Sequence, residues 1–231
     1  MRRRHLALAF GLAILVGVAG FAAWRVNAWR SVTPSAAVSL ERLDRYGRVP
    51  PFSLTERSGR RISRDDLLGH IAVIDFIYTE CTETCPTQSL VLARLQTEFA
   101  DAPDLRLVSM TVDPRHDTPE VLARYAARYG AGDRWWFLTG DQHDIYCLAK
   151  DGFHLGVVDS AATQPAACSA AWRFGPAPAW ASHGSKGLIM HSARLVLVDR
   201  AAEIRAYHLA TDPESLPNLK ANLRRLLAER G

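Results

Sequence analysis

Cysteine is scarce in this chain, internal repeats are missing, and neither sign of charge is in large excess. Only four of the 231 residues are cysteine, a number that fits an oxidising or redox-managed compartment. The formal net charge is +4, and several of the positive charges flank an apolar segment at the N-terminus. A charge of this size and placement does not indicate nucleic-acid binding. The hydrophobic content of 48% is sufficient for one medium-sized domain with its own core.

A long apolar run lies at the N-terminus. Three arginines within Met1–His5 precede Leu6–Trp24, which contains no charged residue. A run of this length is sufficient to cross a bilayer as a helix, and the positive-inside rule places its basic end in the cytoplasm. The alternative is a cleaved signal peptide with its cleavage site among the small residues at Gly20–Ala23. Either interpretation exports the rest of the chain, as a membrane-anchored domain or as a secreted one.

We divide the chain into a membrane anchor with its basic flank (1–30), a tether (31–51) and a folded domain (52–231). Within the domain, short β-branched runs alternate with segments of helical periodicity, and a hairpin and a final helix close the chain. This order predicts an α/β fold with a central mixed sheet flanked by helices. The predicted strands are 52–54, 71–78, 105–112, 135–138, 153–158, 195–199 and 203–208; the predicted helices are 62–68, the segment after Cys85, the segment from Pro119, 141–150 and 214–229.

The segment Cys81-Thr-Glu-Thr-Cys85-Pro86 joins the first buried strand to a helix with an apolar stripe. Pro86 suits the first helical position, which places Cys81 in the loop and Cys85 at the helix start. The unpaired N–H groups and the dipole of a helix start favour a thiolate, so we expect a lowered cysteine pKa. A structural disulfide across such a short loop would contribute little stability. The placement therefore favours a redox-active or metal-binding pair, and indicates a thioredoxin-like fold.

No proline stands where thioredoxin-like folds usually carry a cis-proline, directly before the hairpin. The chain has His191-Ser192-Ala193 at this point, and the topology places the His191 imidazole opposite Cys81 and Cys85. Two thiolates and one imidazole suit copper, because soft sulfur ligands select Cu(I) and histidine binds either oxidation state. Zinc is the rival, although structural zinc sites usually have four protein ligands.

These features resemble the Sco/SenC family, whose members are membrane-anchored, thioredoxin-like copper proteins that help to assemble the CuA centre of cytochrome c oxidase. The resemblance runs from about Phe52 to Leu227. It is carried by the anchor and by the motifs Tyr78-Thr-x-Cys-x-x-x-Cys-Pro86, Thr111-Val-Asp-Pro-Arg-x-Asp-Thr-Pro119, Leu138-Thr-Gly140 and His191. It implies Cys81, Cys85 and His191 as copper ligands, and cytochrome c oxidase subunit II or another copper-accepting protein as partner.

Three positions depart from the family pattern. Thr82 replaces a usual proline, Glu83 replaces a usual aspartate, and Met190 replaces the aspartate that usually precedes the histidine. The last change removes an anion beside the metal-binding histidine, which affects copper affinity or the preference between Cu(I) and Cu(II). The ligand set itself is intact.

Other polar residues are read mainly as structural. Asp117 or Thr118 is expected to cap the helix that starts at Pro119. Cys147 and Cys168 either form a second disulfide, which would tie down a long loop at 160–185, or stay unpaired. His183, in that loop, is a minor candidate for an auxiliary ligand.

Two functions from different classes follow from the cysteine pair. The first is copper delivery by a metallochaperone. The second is thiol–disulfide exchange, in which Cys81 attacks, Cys85 resolves and the acceptor's cysteines are reduced. A thiol peroxidase is the weakest reading, because no activating environment for a single peroxidatic thiol is recognisable. Copper delivery and dithiol chemistry can coexist, since the pair must be reduced to bind copper.

Overall fold

The computed structural model describes residues 21, 40–155, 157–159, 168, 189–191 and 193–229, and for 157–159 and 189–191 it describes the backbone alone. The chain divides into a first unit, Met1–Ser39, and a second unit, Leu40–Gly231. The predicted membrane anchor therefore lies outside the described residues, apart from Phe21. Residues 40–51, which fall within the predicted tether, contribute strand β1 and the buried Val49 to the second unit.

The second unit is built on an eight-stranded mixed sheet. The strands of the unit are β1 (Gly47–Arg48), β2 (Ser53–Glu56), β3 (Arg61–Ser63), β4 (Ile71–Ile77), β5 (Leu105–Thr111), β6 (Trp135–Thr139), β7 (Val157–Asp159), β8 (Ile189–His191), β9 (Arg194–Val198) and β10 (Glu203–Leu209). The sheet order is β1-β10-β9-β4-β5-β6-β2-β3, and β7 and β8 form a separate two-stranded ladder. Strands β4, β5 and β6 are parallel, whereas β9 runs antiparallel to β4.

The helices of the second unit are α1 (Thr84–Glu98), α2 (Pro119–Arg128), α3 (Gln142–Cys147) and α4 (Ser215–Ala228). A short 3₁₀ helix (Arg64–Leu67) precedes β4, and a π-helical turn (Leu148–Gly152) continues α3. Helix α2 begins as the sequence predicted, with Pro119 as its first residue and Thr118 as its N-cap. The Thr118 hydroxyl accepts a hydrogen bond from the Val121 N–H. Of the two caps considered from the sequence, Thr118 is therefore the correct one.

The central strands are buried on both faces, which is why their sequences are apolar throughout. Alternate residues of β4 enter two different cores. One core holds Ile71, Val73 and Ile77 with the apolar faces of α1, α2 and α4. The other holds Ile74 and Phe76 with α3 and its π-helical continuation. Helices thus cover both faces of the sheet, and the predicted thioredoxin-like α/β sandwich is confirmed.

One predicted strand is wrong in extent and place. The sequence predicted an edge strand at 153–158, but Phe153 and Leu155 are buried core residues that follow the π-helical turn. The strand is confined to β7, which pairs with β8 rather than with the main sheet. Apolar periodicity over so few residues does not separate a strand from a buried coil, and here the continuation of α3 to Gly152 decided the local structure.

Candidate functional site

The cysteine pair lies where the central strand β4 gives way to α1. The Cys81 N–H donates to the Tyr78 carbonyl at 3.2 Å, which turns the chain after the strand. The Cys85 N–H then donates to the Cys81 sulfur at 3.3 Å. The helix begins at Thr84, so Pro86 is its third residue rather than its first. The proline still costs no hydrogen bond, because the first four N–H groups of a helix have no partner within it.

Both cysteines are thiols, and neither forms a disulfide. Cys81 is 8% exposed and Cys85 is fully buried. The Cys81 sulfur also lies 3.7 Å from the Thr84 hydroxyl. The pair is therefore a nearly enclosed dithiol whose outer member, Cys81, is the one that solvent reaches.

The expected lowering of the cysteine pKa is wrong for Cys85. Burial raises the pKa of the Cys85 thiol well above its usual range, and the hydrogen bond to Cys81 and the nearby carboxyl of Asp75 act in the same direction. The helix start does stabilise a thiolate in general. Here its N–H group is directed at the Cys81 sulfur, while the Cys85 sulfur is enclosed in the apolar core beneath α1. Cys85 is consequently a thiol rather than a thiolate at neutral pH.

Tyr78 stands beside both sulfurs. Burial raises the pKa of its phenol, and the adjacent Cys81 and Cys85 contribute further, Cys81 also by a hydrogen bond. The phenol therefore stays protonated and acts as a neutral hydrogen-bond donor close to the pair. In the sequence, Tyr78 is recognisable only as part of the cysteine motif, which indicates no role for its phenol.

Asp117 anchors the loop that carries Cys81. Its buried carboxylate accepts the Thr79 N–H at 3.1 Å and the hydroxyls of Thr79 and Thr111. Burial raises the pKa of Asp117, and these three hydrogen bonds oppose the rise. The carboxylate thus links the end of β5 to Thr79, which lies two residues before Cys81. The sequence suggested a helix cap for Asp117, and only its place in the motif after β5 hinted at this contact.

Asp113 and His116 form a pair on the same segment after β5. The His116 Nδ1 lies 2.7 Å from the Asp113 carboxylate, and the imidazole is exposed to solvent. The hydrogen bond and the charge of Asp113 raise the pKa of His116. Asp113 is itself buried, and its carbonyl accepts from the His116 and Asp117 N–H groups, so it is a structural residue of the turn after β5.

The third predicted ligand, His191, is the last residue of β8, where its backbone pairs with Val157. Its side chain lies outside what the structure describes, as do Met190's side chain and the whole of His183. Cys147 and Cys168 do form a disulfide, with their Cα atoms 5.6 Å apart. Of the two alternatives for that pair, the disulfide is the correct one.

Within 40–155 and the other described ranges, no three histidine, cysteine or acidic side chains are grouped so as to hold a metal ion. No helix in the same part of the chain is both long and apolar enough to span a bilayer.

Comparison with known proteins agrees with the geometry. A family model described as SCO1/SenC matches residues 43–228. The SCO1 protein homolog of Bacillus subtilis is 37% identical over 108 residues, which are 46% of this chain and 56% of that protein. The chain spans about half the length of the first curated relatives that it matches.

Solved structures support the fold. BsSco, titled a member of the Sco family of cytochrome c oxidase assembly proteins, superimposes with a TM-score of 0.60 at 24% identity, covering 81% of this chain and 97% of that one. Bradyrhizobium japonicum ScoI with copper bound gives a TM-score of 0.56 at 21% identity, covering 78% of this chain and 99% of that one. Since the family match covers most of the folded unit and the cysteine loop lies within it, this chain belongs to the SCO1/SenC family.

Proposed function

We propose that this protein is a membrane-anchored copper-delivery protein that binds one copper ion through Cys81, Cys85 and His191 and helps to assemble the CuA centre of cytochrome c oxidase. The observation that carries the proposal is the enclosed dithiol at the start of α1, in a chain of the SCO1/SenC family. The copper-bound structure of a relative with this fold supports the choice of metal.

The chemistry of the two sulfurs suits Cu(I). Thiolate is a soft ligand and selects Cu(I) over harder cations. Because the pKa of Cys85 is raised, its proton must leave as the metal binds, and copper affinity should increase with pH. Burial of Cys85 would exclude water from one side of a bound ion, while the small exposed part of Cys81 would leave a path for exchange with an acceptor's ligands.

The backbone supports the third ligand. Strand β9 runs antiparallel to β4, with Val196 opposite Ile74 and Val198 opposite Ala72. The start of β9 therefore lies at the same end of the sheet as the end of β4, where the cysteine loop begins. Only two residues separate His191 from the start of β9, so the chain that carries His191 approaches that end.

The proposed setting is the exported face of a membrane. Residues 1–30 would anchor the protein with the basic end in the cytoplasm, and residues 31–39 would remain as the free part of the tether. Cytochrome c oxidase subunit II, or another exported protein with a vacant copper site, would be the acceptor. Secretion after signal cleavage is the alternative arrangement.

One observation favours a second function, reduction of the acceptor's cysteines. Cys81 is the more exposed thiol and Cys85 lies behind it, fully buried, which is the arrangement of an attacking and a resolving cysteine. In this function His191 would not hold a metal.

A competition titration tests the first proposal. The reduced full-length protein in detergent is titrated with Cu(I) against a chelator, beside His191→Ala and the control His70→Ala, which changes a histidine at the opposite end of β4 from the cysteine loop. We expect one copper per chain, a loss of affinity of at least about tenfold in His191→Ala and no loss in the control. Equal affinity in the two variants would remove His191 from the ligand set. Weak binding by all three proteins would favour the reductase.

A further inference from the structure

The disulfide Cys147–Cys168 lies outside the proposed copper site, and its surroundings are those of a reactive bond. Both cysteines are only half-buried. Both residues line a groove of about 680 Å³ on the surface of the domain. A thiol can therefore reach this bond without unfolding of the core.

An imidazole lies against one of the two sulfurs. His143 precedes Cys147 by one turn of α3 and is exposed. Its Nε2 and Nδ1 are 3.7 and 3.9 Å from the Cys147 sulfur. The two ring nitrogens are almost equally distant from this sulfur, so the protonated ring places its positive charge beside it.

We propose that Cys147–Cys168 is a second redox centre, which accepts two electrons from a dithiol reductant by attack at Cys168. A thiolate of the reductant forms a bond to the Cys168 sulfur, and the Cys147–Cys168 bond breaks. Cys147 leaves with the electron pair as a thiolate and takes a proton from the His143 imidazolium. The reductant's second thiol then attacks its own sulfur in the mixed disulfide and releases Cys168. The reductant ends as a disulfide, and this protein ends with two thiols.

The direction of attack follows from the leaving group. In thiol–disulfide exchange, the sulfur whose thiol has the lower pKa leaves faster, and a neighbouring imidazolium lowers a thiol pKa. The other charged groups on the groove are the carboxyls of Asp144 and Asp151 and the guanidinium of Arg61. The Arg61 guanidinium is engaged by Ser53 and Thr55. The two carboxyls would repel an anionic thiol, so an uncharged dithiol is the better reductant.

The position of the bond gives its reduction a structural consequence. Cys168 lies between β7 and β8 along the chain, and β8 ends at His191. The disulfide is the covalent tie between α3 and the connection that leads to the proposed third copper ligand. The redox centre stands apart from the copper proposal, because none of its residues is a proposed copper ligand.

The test follows reduction of the native full-length protein by dithiothreitol. Samples are quenched in acid, alkylated and digested, so that peptides report each cysteine separately from Cys81 and Cys85. The variants are His143→Gln and His143→Lys, and the matched control is His116→Gln, an exposed histidine that contacts Asp113 instead. Melting temperatures confirm that the variants are folded.

We expect reduction in native buffer, slowed by about three- to tenfold in His143→Gln, partly recovered in His143→Lys and unchanged in the control. With 2-mercaptoethanol, the trapped mixed disulfide should form at Cys168 in the wild type. In His143→Gln it should be distributed between Cys147 and Cys168. A bond that resists dithiothreitol until the protein unfolds would overturn the proposal. The proposal would also be overturned if the rate of reduction and the position of the adduct were the same in the wild type and in the His143 variants.

Discussion

A buried histidine, His208, should make the stability of the domain depend on pH. His208 lies on β10 and is fully buried. Its Nε2 lies 3.3 Å from the side-chain amide nitrogen of Asn222 on α4. Burial lowers the pKa of His208 to about 4, and the nearby Arg194 guanidinium acts in the same direction, whereas the Glu41 carboxylate opposes it.

The sign follows from proton binding in the two states. Above pH 7 the imidazole is neutral in both the folded and the unfolded chain, and it does not lower the free energy of unfolding. As the pH falls below the ordinary value of 6.5, the unfolded chain takes up a proton and the folded protein does not, so stability decreases. The loss stops near pH 4, where the folded protein is protonated as well. A pKa difference of this size corresponds to about 3 kcal/mol, with about 2 kcal/mol lost by pH 5.

Urea denaturation between pH 7.5 and 4 measures this loss. The comparison is with His208→Gln, which keeps a polar contact for Asn222 and does not titrate. Because the other ionisable groups are shared, the difference in unfolding free energy between the two proteins isolates His208. We expect the wild type to lose about 3 kcal/mol relative to the variant over this range. Parallel curves would refute the reasoning, because they would mean that the folded and unfolded chains protonate His208 equally readily.

Two further predictions concern the loop before Cys81 and the packing of the N-terminal segment. Asp117→Ala leaves the hydroxyls of Thr79 and Thr111 without their acceptor. The free energy of unfolding, measured by urea denaturation, should therefore fall by about 2–4 kcal/mol, and Cu(I) binding should weaken. Asp117→Asn should be closer to the wild type in both measurements. Equal copper affinity in Asp117→Ala and the wild type would show that the loop is held by other contacts. Gly152→Ala would place a Cβ 2.7 Å from the Pro50 ring, and we expect a loss of about 1–3 kcal/mol, whereas a stability equal to that of the wild type would mean that the segment at Pro50 moves without cost.

Local signals in the sequence were sufficient for most of the elements. The stripe Val91, Leu92, Leu95 and Phe99 is buried as its spacing predicted, and Pro119 marks the start of α2. These signals act between neighbours along the chain, where periodicity and caps determine the structure. The parallel pairing of β4 with β5 was implied by the alternation of strands and helices.

The electrostatics of the site could not be predicted in the same way. A lowered cysteine pKa was expected from the helix start, but the burial of Cys85 depends on the packing of α1 against the sheet. The contact of Asp117 with Thr79 spans 38 positions along the chain and has no local signature. The contact of His143 with Cys147 could not be predicted either. Residues four apart are ordinary neighbours on a helix, and this pair matters only because Cys147 forms a disulfide.

Copper transfer to an acceptor tests the central claim most directly. The protein loaded with Cu(I) is mixed with a CuA-type acceptor domain whose cysteines have already been reduced, the two proteins are separated, and the copper bound to the acceptor is measured by metal analysis. A delivery protein should metallate this acceptor, and the metal-free protein with oxidised acceptor should give no copper centre. If the loaded protein transfers no copper while the metal-free dithiol reduces the oxidised acceptor, copper delivery is contradicted and the protein is a reductase.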